Sequence, residues 1–451
     1  MTHEKELIEL LDKETTAREC NAGDLPVQRE IIERTFREFG LQGKITRAYC
    51  GPQVNCFDFE IGTGEKLQSY RQIEKNLQMA LKATNVRMVL PGSEVGIECR
   101  LEVPAKCRMT VSAGTVFRSF EWCESKARLP LMLGKGIDGT IEIIDLARAM
   151  NLLMAGSTGS GKSVFMDSCI QSLMFKHTPD ELKLILVDPK VVEFNKYLNL
   201  PYLQFPVIHD VEATLDVLQW LVTETERRYE LLVNAACRDI QTWNQQHPDS
   251  LPYIIMFIDE LADFMLEARS QMETLLSEIC AKSRAVGIYL IIATQRPDSK
   301  VLTGIIKCNF PTRIAFDMAS RIDSRLFIGS DDAAFLVGSG DMLFHGPCGE
   351  ALTRIQGSYV KPEESARIAE RLQAIYKDVI SKRQLPKRHA LFRNHGMILR
   401  NKLVEIIQEI VDDRLDYAKN DIVDDITDGI ADAIMEHWNE LKDVVFDEEE
   451  E

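Results

Sequence analysis

The segment from Gly156 to Ser163 constrains the fold of this chain more than any other feature. It matches the spacing GxxxxGK[ST], follows an apolar run at residues 152–155 and precedes a helical pattern at residues 164–175. Glycines let backbone N–H groups close around phosphate oxygens, and the helix N-terminus adds its positive dipole. A chance glycine-rich turn is the alternative, and the order of strand, loop and helix argues against it. The pattern predicts an ATP-binding P-loop formed by Gly156, Ser157, Thr158, Gly159, Ser160, Gly161, Lys162 and Ser163.

A second segment supplies the groups that ATP hydrolysis needs. The apolar run at residues 254–258 is typical of a buried strand, and Asp259 and Glu260 follow it directly. We expect Lys162 to contact the β- and γ-phosphates, and Ser163 and Asp259 to bind Mg²⁺. Glu260 would polarise the attacking water. A strand that ends in a solvated acidic turn is the alternative, and the P-loop upstream favours an ATPase.

A third polar residue, Gln295, follows the apolar run at residues 288–293. Placed between the P-loop strand and the Asp-Glu strand, it could sense the γ-phosphate and relay its loss. A strand-end cap before the turn at Pro297 is the alternative. The spacing alone favours neither interpretation.

Alternating apolar runs and helical patterns predict the architecture. The runs at residues 152–155, 182–187, 253–258, 288–293 and 313–316 are continuously apolar, as expected for a parallel sheet covered on both faces. Upstream, short strands and helices alternate without that pattern. We predict an α/β fold: a P-loop RecA-like motor domain with a mainly parallel sheet, preceded by a smaller α+β domain and followed by a helical acidic tail.

The predicted segments and local elements have the following bounds. The segments are an N-terminal helix (1–25), the small α+β domain (26–128), the motor (129–380), a basic linker (381–403) and the acidic helical tail (404–451). Helices are expected at 4–18, 26–39, 70–84 and 361–378. Strands are expected at 45–50, 54–60, 86–90 and 96–103, with 54–60 half-buried, and a hairpin at 129–151.

Composition is that of an ordinary soluble globular protein, with 45% apolar and 27% charged residues. The chain has no apolar run of about 18 residues or more, and its first residues lack the signal-peptide pattern. We expect a cytoplasmic protein without membrane insertion. Its 11 cysteines contain no CxxC pair, which favours reduced, mostly buried thiols over a metal site.

The net charge of −17 is unevenly distributed. Residues 404–451 hold 18 acidic against three basic residues, whereas residues 381–403 hold seven basic and no acidic ones. DNA contacts would therefore be local patches. The basic segment could touch phosphates or be a solvated linker. The acidic tail could repel DNA, dock a basic partner protein, occupy a channel as an autoinhibitor, or simply act as a solubilising helical tail.

Several segments together resemble the FtsK/SpoIIIE family of DNA translocases. The likeness runs in order through about residues 129–360 and, with the preceding small domain, covers most of residues 26–360. It implies hexameric rings that thread duplex DNA and hydrolyse ATP at subunit interfaces. The segments that carry the resemblance are the P-loop, Val187–Lys190, Glu226–Tyr229, Asp259–Asp263, Ala293–Pro297, Pro311–Phe316 and Gly340–Leu343.

The resemblance also implies an arginine that acts on the neighbouring subunit's nucleotide. Arg284 matches the family segment, and Arg296 and Arg313 are alternatives; each could instead be a surface arginine or part of a structural ion pair.

Channel cations would meet DNA phosphates without reading bases. Lys307, Arg321 and Arg325 occupy matching positions in the resemblance. Solvated surface charge is the alternative for each of them.

The chain departs from full-length division-linked members of that family, which carry membrane helices and a winged-helix end domain. The expected function is an ATP-hydrolysing homo-oligomeric ring, a hexamer by resemblance, that translocates double-stranded DNA. Two alternatives remain open: an FtsK-like ATPase that moves protein substrates, and a DNA packaging or conjugative coupling ATPase.

Overall fold

The computed structural model describes residues 3–12, 23–90, 99–347, 349 and 351–377. The predicted basic linker (381–403) and acidic tail (404–451) lie outside the described residues, as does the possible DNA or partner binding assigned to them.

The N-terminal segment forms α1 (Glu4–Glu9), which ends earlier than the helix predicted at residues 4–18. Arg118 donates to the carbonyl oxygens of Ile8 and Leu11 at 2.7 and 2.8 Å, groups that a continuing helix would use internally. Leu7, Ile8 and Leu11 are buried in the main hydrophobic core of the motor. Residues 7–11 therefore contribute to the packing of the motor.

The small domain is a four-stranded antiparallel sheet covered by helices on one face. Its elements are α2 (Asp24–Glu38), β1 (Lys44–Cys50), β2 (Val54–Glu60), α3 (Leu67–Gln72), α4 (Glu74–Leu81), β3 (Arg87–Val89) and β4 (Cys99–Pro104). The strand order is β1-β2-β4-β3. Phe36, Phe57, Phe59 and Tyr70 lie in its core.

Two predictions for the small domain are wrong. The single helix expected at residues 70–84 is two helices, because the chain leaves helical geometry at Ile73. The half-buried strand expected at residues 54–60 is buried on both faces up to Glu60. On the second face of β2, Cys56 lies beside Glu102 of β4, and Glu102 binds Arg354 of the motor.

The motor is a nine-stranded mixed sheet with helices on both faces. Its elements up to the P-loop helix are α5 (Ala113–Val116), α6 (Phe120–Cys123), β5 (Pro130–Gly136), β6 (Ile141–Asp145), α7 (Leu146–Ala149), β7 (Leu152–Ala155) and α8 (Lys162–Lys176). The next are β8 (Leu182–Val187), α9 (Val211–Asn234), α10 (Ile240–Gln246), β9 (Tyr253–Ile258), α11 (Leu261–Glu267), α12 (Arg269–Lys282) and β10 (Ile288–Thr294). The last are α13 (Gly304–Asn309), β11 (Thr312–Phe316), α14 (Arg321–Ile328), β12 (Asp341–His345), β13 (Thr353–Gly357) and α15 (Pro362–Ile375).

The strand order is β6-β5-β13-β12-β11-β7-β10-β9-β8. Strands β11, β7, β10, β9 and β8 are mutually parallel, and the other four extend the sheet in antiparallel pairs. The predicted α/β fold class is confirmed, and the antiparallel half makes the sheet mixed.

Burial on both faces explains why the parallel strands are continuously apolar. On β9, Ile255 and Phe257 pack into the core on the α8 side. Ile254, Met256 and Ile258 pack into a second core with α9 and α12. Period-two alternation of apolar and polar residues is therefore absent from these strands.

Within the described ranges, no helix combines the length and apolar character needed to cross a bilayer. The expectation that the cysteines are mostly buried is wrong for the described ones, because Cys50, Cys107, Cys123 and Cys308 are exposed.

Candidate nucleotide-binding site

Three parallel strands bring the predicted site residues to one edge of the motor sheet. Thr294 on β10 pairs with Ala155 on β7, and Ile292 pairs with Ile258 on β9. The carboxyl ends of the three strands are therefore aligned. The P-loop, the Asp259–Glu260 pair and Gln295 emerge beside one another, as a nucleotide site on an open parallel sheet requires.

Close backbone contacts hold the P-loop in place. Ser157 donates its backbone N–H and its hydroxyl to the carbonyl oxygen of Asp317, at 2.9 and 2.8 Å. The backbone N–H of Gly340 donates to the carbonyl of Ser160 at 2.8 Å. Gly161 has φ +112°, and a Cβ there would lie 2.4 Å from the nitrogen of Gly340. Only glycine fits this conformation and this approach.

Lys162 begins α8 and is only 4% exposed. Its Nζ donates to the main-chain carbonyl of Asp259 at 2.7 Å and to Asp259 Oδ1 at 3.3 Å. Burial raises the pKa of Asp259, and the nearby ammonium of Lys162 opposes that rise. The hydroxyl of Ser163 donates to Glu193 Oε1 at 2.8 Å. Of the groups predicted to bind phosphate and Mg²⁺, Lys162 therefore contacts Asp259, and Ser163 contacts the acidic residue Glu193.

Glu260 is buried and held by several donors. Thr294 Oγ1 donates to Glu260 Oε1 at 2.7 Å, and the backbone N–H of Gln295 donates to Oε2 at 3.0 Å. Lys190 Nζ lies 3.6 Å from Oε2. The orientation of the carboxylate is thus fixed by β10 and by the loop after β8.

Gln295 links the P-loop to Glu260. Its side-chain Oε1 accepts a hydrogen bond from Thr158 Oγ1 at 2.7 Å, while its backbone N–H binds Glu260. The side chain of Gln295 thus contacts the loop that would bind phosphates, and its backbone contacts Glu260. Gln295 therefore lies between the P-loop and Glu260, and its role as a relay stays a prediction.

The residues present fit ATP and Mg²⁺. Among the described residues, the buried hydroxyl of Ser160 has no hydrogen-bond partner, and it lies within the P-loop. Ser163 and Asp259 offer one hydroxyl and one carboxylate, the oxygen donors that Mg²⁺ takes together with nucleotide phosphates. No cluster of three or more His, Cys, Asp or Glu side chains suited to a metal occurs in the described part of the chain.

The three arginines considered for action on a neighbouring subunit lie in different settings. Arg284 is exposed and follows α12, before β10 begins. Strand β10 lies between Arg284 and Gln295. At about 3.3 Å per strand residue, it separates the two residues by about 20 Å. Arg284 cannot reach the P-loop of its own chain. Arg296 is exposed directly after Gln295.

Arg313 has a structural role within its own chain. Its guanidinium donates to the carbonyl oxygens of Lys307, Phe310 and Phe327 at 2.7, 3.2 and 2.9 Å. These bonds connect α13 to α14 and use the guanidinium donors within the chain. They argue against Arg313 as the arginine that acts on a neighbouring subunit.

The three predicted DNA-contacting residues lie on the two helices that Arg313 connects. Lys307 is half-buried on α13, and Arg321 and Arg325 are exposed on one side of α14. The guanidinium of Arg321 lies 4.8 Å from the centroid of the Phe335 ring. Arg325 Nη2 donates to Asp331 Oδ2 at 2.7 Å, so its charge is partly compensated.

Sequence reasoning gave no role to Lys190, Glu193, Thr294 or Gly340, which the structure places at the site. Lys190, Thr294 and Gly340 stand in segments that carried the family resemblance, and that was the available signal. Thr294 directly precedes Gln295, but only the register of β9 and β10 shows that it reaches Glu260. No pattern pointed to Glu193.

Comparison with known proteins agrees with this geometry. The FtsK/SpoIIIE family model matches residues 115–299, and the FtsK alpha domain model matches residues 7–104. The DNA translocase FtsK of Borreliella burgdorferi is 41% identical over 359 residues, which cover 78% of this chain and 45% of that protein. The DNA translocase FtsK of Haemophilus influenzae is 38% identical over 369 residues, covering 75% of this chain and 69% of that protein. The DNA translocase SftA of Bacillus subtilis is 38% identical over 355 residues, covering 77% and 37%.

Two solved structures share the fold. The pCW3 conjugation coupling protein TcpA, in its monomer form with ATPγS, has a TM-score of 0.54 at 23% identity and covers 76% of this chain and 99% of its own. ATPases 2 and 3 of EssC from Geobacillus thermodenitrificans have a TM-score of 0.52 at 19% identity and cover 58% and 51%. The chain spans less than half the length of the Borreliella relative. With the sequence identity to the Haemophilus protein, the motifs and the fold in agreement, the chain belongs to the FtsK/SpoIIIE family.

Proposed function

We propose that this chain hydrolyses ATP and couples hydrolysis to movement along double-stranded DNA, as a subunit of a homo-hexameric ring. The arrangement of Lys162, Asp259, Glu260 and Gln295 at one sheet edge is the observation that carries the proposal. The family's curated relatives named DNA translocases support the choice of substrate. We place the motor in the cytoplasm, where ATP and DNA are both available.

The P-loop would bind the nucleotide through its backbone N–H groups and Lys162. Lys162 Nζ would exchange the carbonyl and carboxylate of Asp259 for phosphate oxygens, which frees Asp259. Ser163 and Asp259 would then hold Mg²⁺, whose charge stabilises the phosphates when it is bound. The residues that bind the phosphates and the metal are thus already adjacent.

Glu260 would orient the attacking water and accept its proton. A general base must lie within hydrogen-bond reach of the water, and Glu260 is oriented at the same edge as Lys162 by Thr294 and Gln295. Gln295 would report the loss of the γ-phosphate because it contacts Thr158 and Glu260 together. Hydrolysis at one site can in this way alter β10 and the segments that follow it.

The remaining positive charge would come from a neighbouring subunit. Arg284 is exposed and too far from its own P-loop to act there, so its use requires a second copy of the chain. Arg296 is the alternative. A ring of copies would place each nucleotide between two subunits, with the hexameric number taken from the family.

The DNA contacts would come from α13 and α14. Lys307, Arg321 and Arg325 would supply local positive charge on a chain with net charge −17. Phosphate contacts of this kind bind DNA regardless of sequence. The basic protein partner proposed for the acidic tail, residues 404–451, remains a prediction outside the described residues.

Steady-state ATP hydrolysis with and without linear duplex DNA, at one stated salt concentration, tests this proposal. We expect stimulation by duplex beyond that by single strands, and displacement of a triplex-forming strand in the presence of ATP. Hydrolysis that is indifferent to DNA would contradict the DNA proposal and favour a motor that moves proteins.

The proposed DNA contacts on α13 and α14 lead to a separate prediction. Arg321→Ala should weaken duplex binding a few-fold and reduce the slope of log affinity against log salt by about one, because one phosphate contact is lost. Arg148, which is exposed and lies before β7, offers a matched control: Arg148→Ala should leave the slope unchanged. An equal change of the slope in both variants would contradict the proposed contact between Arg321 and DNA.

A further inference from the structure

A group of charges, all buried except the partly exposed Asp332, joins the small domain to the antiparallel half of the motor sheet. We call it the interdomain charge cluster; it consists of Arg87, Glu102, Asp332, Asp341 and Arg354. Glu102 on β4 accepts hydrogen bonds from Arg87 at 3.1 Å and from Arg354 on β13 at 2.5 Å. Arg354 also binds Asp341 on β12 through two donors, at 3.0 and 2.6 Å. Arg87 reaches Asp332 at 3.1 Å.

Glu102 is the central anion of the cluster. The side chains of Glu102, Asp341 and Arg354 are at most 2% exposed, so their charges depend on one another for compensation. Burial alone would raise the pKa of Glu102, but Arg87 and Arg354 outweigh burial and lower it. Neutralising Glu102 would leave two buried guanidinium groups without their shared partner.

The cluster continues into a turn that contacts the P-loop. The turn comprises residues 337–340. Asp341 Oδ2 accepts a hydrogen bond from the backbone N–H of Val337 at 2.8 Å, which closes the turn. Gln356 Nε2, from β13, donates to the carbonyl of Ser339 at 2.9 Å. The last residue of the turn, Gly340, donates to the carbonyl of Ser160.

The contact between the turn and the P-loop is tight. The Cβ that Gly161 lacks would lie 2.4 Å from the nitrogen and 2.6 Å from the Cα of Gly340. A movement of the turn by a few tenths of an ångström would therefore change the backbone position of Ser160 and Gly161. The N–H groups of this part of the loop are those expected to point at phosphate oxygens.

We propose that Glu102 is a positioning residue for the nucleotide site: through Arg354 and Asp341 it fixes the turn 337–340 against Ser160 and Gly161, and so sets the affinity of the P-loop for nucleotide. The small domain is then part of the nucleotide-binding apparatus, although its sheet contributes no group to the phosphates. This inference rests on the proposed nucleotide binding at the P-loop.

The same contacts imply that the coupling between the small domain and the nucleotide site acts in both directions. If the small domain alters nucleotide affinity, nucleotide binding must stabilise the small domain's attachment by the same factor. We expect a factor of about ten, within the usual range for coupled sites. The effect should be concentrated in β4, which carries Glu102, rather than in β1 at the far edge of the small sheet.

The first test measures the Kd of a fluorescent, non-hydrolysable ATP analogue with Mg²⁺. Glu102→Gln should raise the Kd about tenfold and leave kcat at saturating ATP within about twofold of the wild type. Glu102→Asp, which keeps the charge, should recover part of the affinity. Asp58→Asn is the matched control, because buried Asp58 binds Arg100 at 2.6 Å inside the small domain, between β2 and β4.

The second test uses the wild-type chain and does not depend on how a variant folds. Amide hydrogen exchange should slow in β4 when the analogue binds, with little change in β1. Equal Kd values for Glu102→Gln and Asp58→Asn would overturn the inference. So would an amide exchange rate in β4 that is the same with and without the bound analogue. A wild-type chain that fails to bind the analogue would instead contradict the proposed function.

Discussion

The two halves of the nine-stranded sheet differ in what they contribute. In the parallel half, all strands end at the same edge, so Gly156, Asp259 and Gln295 meet there although they are distant in the chain. In the antiparallel half, successive strands end at opposite edges, so the residues that follow neighbouring strands do not meet at one edge. That half instead supports the turn 337–340 and holds the small domain. Parallel strands thus concentrate chemical groups, whereas antiparallel ones provide the support that keeps them in position.

The largest effect should follow removal of the base in the parallel half. Glu260→Gln keeps the size of the side chain and loses its basicity, so ATP turnover should fall about 10²- to 10³-fold. Binding of the ATP analogue should persist. Turnover is measured at saturating ATP. Glu267→Gln, on the exposed side of α11, is the control. Unchanged turnover in Glu260→Gln would contradict the assignment of Glu260 as the general base.

A substitution at the contact between the halves should be the next largest. Gly161→Ala places a methyl group 2.4 Å from the nitrogen of Gly340 at φ +112°. We expect nucleotide affinity to fall by about two orders of magnitude, with a backbone strain of about 1–3 kcal/mol. Gly304→Ala, where a Cβ meets nothing within 4 Å, serves as control. Normal affinity in Gly161→Ala would show that the two halves do not constrain each other here.

A smaller effect is expected for the residue that orients the base. Thr294→Val keeps the shape and removes the donor to Glu260 Oε1. Turnover should fall about tenfold while nucleotide affinity is retained, since the phosphates are bound elsewhere. Thr312→Val is matched, because buried Thr312 on β11 donates to the carbonyl of Ala149, away from Glu260. Equal losses in both variants would indicate a general structural effect.

The smallest effect is a pH dependence at the contact between the antiparallel half and the small domain. The pKa of Glu102 is held below its ordinary value of 4.5 by Arg87 and Arg354, against the effect of burial. Its contribution to stability is therefore present above pH 4.5 and is lost as the pH falls through the folded-state pKa. The melting midpoints of the wild type and Glu102→Gln should differ by several degrees at pH 7 and converge below about pH 4.5. A constant difference between pH 7 and pH 3 would argue against this ion pairing.

The sequence predicts the parallel half better than the antiparallel half for a physical reason. The P-loop has a fixed spacing, and strands such as β9 are apolar throughout because both faces are buried. Gly156–Ser163, Asp259, Glu260 and Gln295 are therefore visible in the sequence and lie together in the structure. Their proposed roles await the experiments above, and the predicted domain bounds remain predictions.

Contacts that depend on register or on distant segments were not predictable. Thr294 reaches Glu260 only because β9 and β10 pair in one particular register. Glu102 and Arg354 are separated by 252 positions and carry no local pattern. The burial of both faces of β2 up to Glu60 was likewise not visible in its alternating sequence pattern.

The bond between Lys162 and Asp259 pairs a buried cation with a buried anion at the proposed nucleotide site. A lone polyphosphate that captured Lys162 would leave the Asp259 carboxylate unpaired beside further negative charge, while a lone divalent cation would face an ammonium 3.3 Å from its intended ligand. Each ligand removes the obstacle to the other. We therefore expect the site to bind a metal–nucleotide complex more tightly than it binds either component alone.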